Sequence, residues 1–122
     1  MLRFDHFNFN VLDLERSLKF YKEALDLEPV EVKDAEDGSF QLVYLGDGVS
    51  DFRLELTWLR DRTEPYDLGE QEFHLAFRTD SFEQLLERHK AMGCVCFENP
   101  DMGIYFIEDP DGYWIELVPA EK

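Results

Sequence analysis

The sequence contains the same order of secondary-structure signals twice. From His6 a short alternating apolar run precedes a helical stripe, and from His74 the same order returns. Three further strand-like runs follow each helical stripe. The pattern therefore predicts the order β-α-β-β-β for each half of the chain. A repeat makes each position of the first copy equivalent to one of the second. We therefore expect a single domain over residues 1–122, with a first module of about residues 1–68 and a second of about 69–122.

The element boundaries follow from apolar periodicity and from end signals. The first helix is expected over residues 14–25, with Asp13 as its N-cap. The second is expected over residues 81–92, with Ser81 and Gln84 as a capping box and a glycine as its stop. Besides the strands that start at the two histidines, strands are expected over residues 28–33, 40–45, 52–58, 94–98, 103–108 and 113–118.

Four polar side chains occupy corresponding strands of the two modules: His6, Glu55, His74 and Glu116. The alternation places each one opposite its strand's apolar face, and we expect each near the centre of its strand. Taken singly, a histidine on a strand is more often a structural or surface residue than a metal ligand. A glutamate on a strand is more often part of the strand's solvent-exposed face than a ligand. Two imidazoles and two carboxylates at equivalent positions of a repeat are instead the ligand set of a borderline divalent metal, and they predict a metal site.

Composition and charge exclude several classes of function. A chain of 122 residues with 44% hydrophobic content can fill one core, or two small modules that share one. Its formal net charge of −16 argues against nucleic acid and against an anionic membrane surface as partners. The sequence has no apolar run of membrane-spanning length and no signal peptide pattern, so we expect a cytoplasmic protein in which Cys94 and Cys96 stay reduced.

Four segments are typical of one enzyme family: DLERSLKFYKEALDL at residues 13–27, LELT at 54–57, YDLG at 66–69 and FIEDPDGYWIEL at 106–117. They resemble glyoxalase I (lactoylglutathione lyase) of the vicinal oxygen chelate superfamily, in its short bacterial form and over nearly the whole chain. The last segment is the most specific. The resemblance implies an α+β fold in which two tandem βαβββ modules form a cupped, open mixed β-sheet barrel, with helices outside and a metal at the centre.

The resemblance also implies a metal site and a reaction. It makes His6, Glu55, His74 and Glu116 the ligands of one divalent metal per site, with nickel or cobalt favoured and zinc possible. The substrate is the hemithioacetal of a 2-oxoaldehyde (methylglyoxal) with glutathione or another low-molecular-weight thiol, and the product is a 2-hydroxyacyl thioester, S-lactoylglutathione with glutathione. Glu116 is the implied base: it dissociates from the metal, takes up the proton and delivers it to the neighbouring carbon. Glu55 acts on the opposite face of the substrate.

The chain departs from the family pattern at positions that bind the thiol co-substrate. Where glutathione-using relatives have a cation four positions after the first histidine, this chain has Asn10, and where they have an asparagine after the LELT segment it has Leu59. Each lost charge-assisted contact should weaken glutathione binding by about 1.5–3 kcal/mol. Four arginines either compensate or are surface charges: Arg53, Arg60, Arg62 and Arg78. The thiol is therefore less well defined than the reaction type.

Two alternative functions and the assembly stay open. The first alternative is another metal-dependent enzyme of the superfamily, an epimerase, dioxygenase or thiol transferase. Glu55 counts against it, because an iron dioxygenase needs two histidines and one carboxylate, and epimerase relatives usually have glutamine there. The second is a metal-free small-molecule-binding protein, against which the complete ligand set counts. We expect a homodimer because exposed sheet edges need cover, with the site built within one chain or across the dimer.

Overall fold

Each half of the chain forms a strand, a helix and three more strands, in the order that the sequence predicts. The structure is a computed structural model that describes residues 1–120. The first half comprises β1 (His6–Val11), α1 (Leu14–Leu25), β2 (Glu28–Asp34), β3 (Phe40–Gly46) and β4 (Arg53–Leu59). The second half comprises β5 (Leu75–Thr79), α2 (Phe82–Met92), β6 (Val95–Asn99), β7 (Ile104–Glu108) and β8 (Trp114–Pro119). The chain divides into two compact units, the first ending at Tyr66 and the second beginning at Asp67.

In each unit the four strands form one mixed sheet. The strand order is β1-β4-β3-β2 in the first unit and β5-β8-β7-β6 in the second. The first and last strands of each unit pair in parallel, whereas the other neighbours are antiparallel. The glutamate strands β4 and β8 are therefore adjacent to β1 and β5, which begin at His6 and directly after His74, although the paired strands are distant in sequence.

One face of each sheet packs against the helix of its unit. In the first unit Phe9, Leu56 and Tyr21 are buried, and in the second Ile107 and Ile115 are buried. Fully burying one such side chain contributes about 1.5–3 kcal/mol. Because side chains alternate along a strand, this burial holds the polar alternates on the opposite face, and a slip of one residue would reverse both sets.

The two helices begin differently. The Asp13 side chain accepts a hydrogen bond from the backbone N–H of Arg16 at 3.1 Å, which confirms it as the N-cap of α1. The predicted capping box of α2 is wrong, because the Ser81 side chain makes no capping hydrogen bond. Its hydroxyl lies 3.3 Å from a carboxylate oxygen of Asp80. Gly93 ends α2 in the left-handed conformation, at φ 73°, as predicted.

The remaining histidine and the two cysteines have packing roles. His89 on α2 is buried, and its Nδ1 lies 2.8 Å from the hydroxyl oxygen of Tyr105. Cys94 and Cys96 are free thiols of intermediate burial, and loss of hydration raises the pKa of Cys96 to about 11. Within residues 1–120, no helix has the length and apolar character to cross a membrane.

Candidate metal centre

In the first unit, the imidazole of His6 faces the carboxylate of Glu55. The β1–β4 register pairs Asn8 with Glu55, so His6 lies two residues before that partner and on the same face of the sheet. His6 Nε2 is 3.7 Å from Glu55 Oε1. The imidazole is 37% exposed and the carboxylate 12% exposed. Both groups are therefore accessible to a ligand from solvent.

The second unit repeats this arrangement. The β5–β8 register pairs Ala76 with Glu116, and His74 again lies two residues before that partner. His74 Nε2 is 3.1 Å from Glu116 Oε1, and the two side chains are 42% and 17% exposed. The equivalence of the two pairs, which the sequence repeat predicts, is confirmed by the strand register.

The prediction of a position near the strand centre is wrong for the two histidines. His6 is the first residue of β1, and His74 immediately precedes β5. In the second unit the backbone N–H of Trp114 donates to the side-chain oxygen of Gln71 at 3.2 Å. Because this donor is taken by a side chain, the β5–β8 ladder begins after His74. Both histidines thus lie where their strand enters the sheet.

The first pair is surrounded by charged groups. A carboxylate oxygen of Asp5 lies 2.6 Å from His6 Nδ1 and 3.3 Å from the guanidinium of Arg53, which also pairs with Glu31 at 2.7 Å. The hydrogen bonds from His6 and then Arg53 hold the pKa of Asp5 below its ordinary value. An ionised carboxylate can only accept, so Nδ1 is the donor, and Nε2 is the ring nitrogen that faces Glu55.

Tyr44 completes the surroundings of the first pair. It lies directly opposite Glu55 in the β3–β4 register. Its ring is edge-on to the His6 imidazole, at 5.5 Å between centroids, and the guanidinium of Arg53 covers it at 4.3 Å. The interaction of its hydroxyl group with the Glu55 carboxylate raises the pKa of Tyr44. Sequence reasoning missed Asp5 and Tyr44; the one available signal was the adjacency of Asp5 to His6.

The second pair has aromatic surroundings instead. Phe106 lies opposite Glu116, at the position that Tyr44 takes in the first unit, and its ring is edge-on to His74 at 5.0 Å. The rings of Phe106 and Trp114 also pack together, at 5.3 Å between their centroids. Within residues 1–120, His74 Nδ1 has no hydrogen-bond partner, and the Glu116 carboxylate has His74 as its one polar partner. The two pairs therefore share their geometry but differ in their support.

The donor chemistry of each pair fits a divalent cation. Imidazole nitrogen and carboxylate oxygen are ligands that nickel, cobalt and zinc accept in proteins. No group of three or more histidine, cysteine, aspartate or glutamate side chains placed to hold a metal occurs within residues 1–120. Each unit thus offers a pair of donors, and the set of four ligands stays a prediction.

The four arginines considered for thiol binding are all engaged within their own units. Arg53 pairs with two carboxylates, and Arg60 pairs with Asp61 at 3.1 Å. Arg62 and Arg78 donate to backbone carbonyls. A carboxylate of a thiol co-substrate would have to compete with an existing contact for each guanidinium.

Comparison with known proteins identifies the family. The model of the Glyoxalase/Bleomycin resistance protein/Dioxygenase superfamily matches residues 3–117. The chain belongs to this superfamily. It is 38% identical to the lactoylglutathione lyase of Neisseria meningitidis, across 99% of this chain and 93% of that protein. Both the superfamily and the α+β fold predicted from the sequence are thereby confirmed.

Solved structures of glyoxalase I support this family assignment. The trypanothione-dependent glyoxalase I of Leishmania major matches with a TM-score of 0.86 at 31% identity, across 98% of this chain and 87% of that one. The glyoxalase I of Zea mays matches with a TM-score of 0.84 at 30% identity, across 98% of this chain and 45% of that one. Fosfomycin resistance proteins from Listeria monocytogenes, at 17% identity, share the fold alone.

Proposed function

We propose that the chain is a lactoylglutathione lyase, which isomerises the hemithioacetal of methylglyoxal and glutathione to S-lactoylglutathione. The observation that carries this proposal is the His–Glu pair at the same strand register in both units. It is supported by the likeness to a lactoylglutathione lyase over nearly the full length of both chains.

We assign four donors to one divalent metal: His6, Glu55, His74 and Glu116. Nickel or cobalt is the favoured ion and zinc the alternative, because the set combines imidazoles with carboxylates and contains no thiolate. When bound, such a cation supplies Lewis-acid stabilisation of the negative charge that develops on the substrate oxygens.

Glu116 is the proposed base. It takes the proton from the carbon that bears the hydroxyl and the sulfur, and returns that proton to the neighbouring carbonyl carbon, while the hydroxyl proton passes to the other oxygen. No atom is gained or lost in this isomerisation. Within residues 1–120 Glu116 has His74 as its one polar partner, so its carboxylate is free to accept a proton. Glu55 is the second catalytic carboxylate, and it acts on the opposite face of the substrate.

The finer parts of the proposal concern the co-substrate, the partners, the cellular compartment and the assembly. The co-substrate is glutathione or another low-molecular-weight thiol, and no nucleic acid or membrane takes part. The free thiols Cys94 and Cys96 suit the reducing cytoplasm. We also propose a homodimer, because β1 and β5 are edge strands of their sheets and an unpaired edge favours association.

The assembly of the site can be tested by complementation. One variant would lack the donors of the first unit, through His6→Ala with Glu55→Ala, and the other those of the second, through His74→Ala with Glu116→Ala. If sites form across a dimer, mixed dimers contain one site with all four donors and recover activity. If each site forms within one chain, the mixture stays inactive.

The proposed reaction is tested on protein stripped of metal by a chelator and reloaded separately with nickel, cobalt or zinc. Thioester formation is then measured with methylglyoxal and glutathione. We expect one of the metals to restore turnover, and thereby to identify the preferred ion. A protein that binds one ion per site yet forms no thioester, with glutathione or with another low-molecular-weight thiol, would contradict the proposal.

A further inference from the structure

The two His–Glu pairs are supported by different neighbours although they have the same register. In the first unit His6 is flanked by Asp5, and Glu55 lies opposite Tyr44. In the second unit a phenylalanine, Phe106, takes the position opposite the glutamate. A site made from two equivalent pairs would not need this difference, so the difference calls for a function.

We propose that Asp5 and Tyr44 are positioning residues that hold His6 and Glu55 as the fixed half of the metal site. The other half, His74 and Glu116, is left free to move during turnover. This inference rests on the proposed lyase and its four donors. It identifies the residues that give Glu55 a fixed position as a metal ligand while Glu116 serves as the base.

The contacts of His6 explain how its ring is held. The Asp5 carboxylate lies 2.6 Å from Nδ1, and Arg53 holds the same carboxylate at 3.3 Å. The hydrogen bond fixes the tautomer and the ring plane, and it makes Nε2 a stronger donor to a cation. Loss of such a partner typically lowers metal affinity roughly 10–100-fold. In the second unit His74 Nδ1 has no partner of this kind within residues 1–120.

The contacts of Tyr44 explain how the first carboxylate is held. Tyr44 is buried between the His6 imidazole and the Arg53 guanidinium, so its ring has little freedom. It lies directly opposite Glu55 in the β3–β4 register, so its side chain is on the face of the sheet that carries the carboxylate. As a positioning residue, Tyr44 donates from its hydroxyl group to this carboxylate and restrains it. Phe106 has no hydroxyl group, and its ring therefore leaves the Glu116 carboxylate without an equivalent restraint.

The test uses cobalt-loaded protein and two removals, Asp5→Asn and Tyr44→Phe. The rate of Co²⁺ transfer to a chromophoric chelator and the visible spectrum of the bound Co²⁺ are measured besides turnover. We expect faster release, by roughly 10–100-fold for Asp5→Asn, and a changed spectrum. With saturating metal, the fold-decrease in kcat should be smaller than the fold-increase in the rate of Co²⁺ release.

A reciprocal variant and two matched controls make the test specific. Phe106→Tyr adds a hydroxyl group opposite Glu116, and it should lower kcat without faster release of Co²⁺. Asp61→Asn removes a carboxylate that pairs with its neighbour Arg60, and Tyr66→Phe removes a hydroxyl group that has no hydrogen-bond partner within residues 1–120. Both controls should release Co²⁺ at the wild-type rate.

Wild-type Co²⁺ release and an unchanged spectrum in both Asp5→Asn and Tyr44→Phe would overturn the inference. Urea unfolding of the metal-free variants shows whether a faster release of Co²⁺ comes from a destabilised fold. If the wild-type protein binds Co²⁺ but forms no thioester, the proposed reaction fails, whereas the release rates still decide whether Asp5 and Tyr44 position the first pair.

Discussion

Glu116 lies on β8 with a carboxylate that is 17% exposed and 3.1 Å from His74 Nε2. We expect Glu116→Gln to lower kcat by roughly 10²–10⁴-fold, the usual contribution of a general base. The amide has the shape of the carboxylate but cannot accept the proton. Thioester formation at saturating metal measures the loss, and urea unfolding of the metal-free protein should give a free energy close to that of the wild type.

A matched control for this change is Glu87→Gln, which removes an exposed carboxylate from α2. Its activity should equal that of the wild type. If Glu116→Gln retained near-full activity, the assignment of the base would be wrong, and Glu55 would be the next carboxylate to substitute.

At the scale of the element, the starts of the two helices give a direct comparison of capping. Asp13 accepts a hydrogen bond from the backbone of α1, whereas the Ser81 side chain makes no such bond to α2. Asp13→Ala should therefore lower the free energy of unfolding by about 0.5–2 kcal/mol. Ser81→Ala should cost clearly less. Equal losses in urea unfolding would show that the capping bond of Asp13 does not stabilise α1.

The sheet of the second unit should lose stability in alkaline solution. Loss of hydration raises the pKa of the Cys96 thiol from 9.0 to about 11. The unfolded chain therefore releases this proton at lower pH than the folded chain, so stability is complete below pH 9 and falls as the pH rises towards 11. Tyr105, whose pKa burial also raises, contributes with the same sign.

This dependence can be measured by urea unfolding, under reducing conditions, at a series of pH values from about 8 to 11. In Cys96→Ala one titrating group is gone, and the decline of the unfolding free energy with pH should be shallower than in the wild type. Identical slopes would contradict the role of the thiol. The comparison uses slopes, because the smaller side chain shifts the free energy at every pH.

The predictability of these elements depends on how local their causes are. The strands and helices, including the stop at Gly93, follow from alternation, periodicity and end residues within a few positions. The capping box at Ser81 failed because its hydroxyl turns to the neighbouring Asp80. Tyr44 lies opposite Glu55 because β3 and β4 pair in one register, and such a long-range register is not encoded in one strand alone.

At the scale of the whole molecule, one ion that binds all four donors would link the stability of both units. Nickel at about 100 times its Kd should raise the free energy of unfolding by about 2.7 kcal/mol, because it binds the folded state alone. Since each unit supplies two of the four donors, His6→Ala and His74→Ala should each abolish this gain. The metal-free forms of these variants should unfold like the metal-free wild type, because both side chains are partly exposed.

The stoichiometry of binding separates this linkage from two independent sites. One ion shared by both pairs gives one nickel per chain in the wild type and none in either histidine variant, with Glu87→Gln as a control that keeps the full metal content. Two independent pairs would give up to two ions per chain, and each variant would keep half. Retention of nickel and of the stability gain in His74→Ala would therefore mean that the His6–Glu55 pair, with its support from Asp5 and Tyr44, binds metal by itself, and the four-donor site would have to be abandoned.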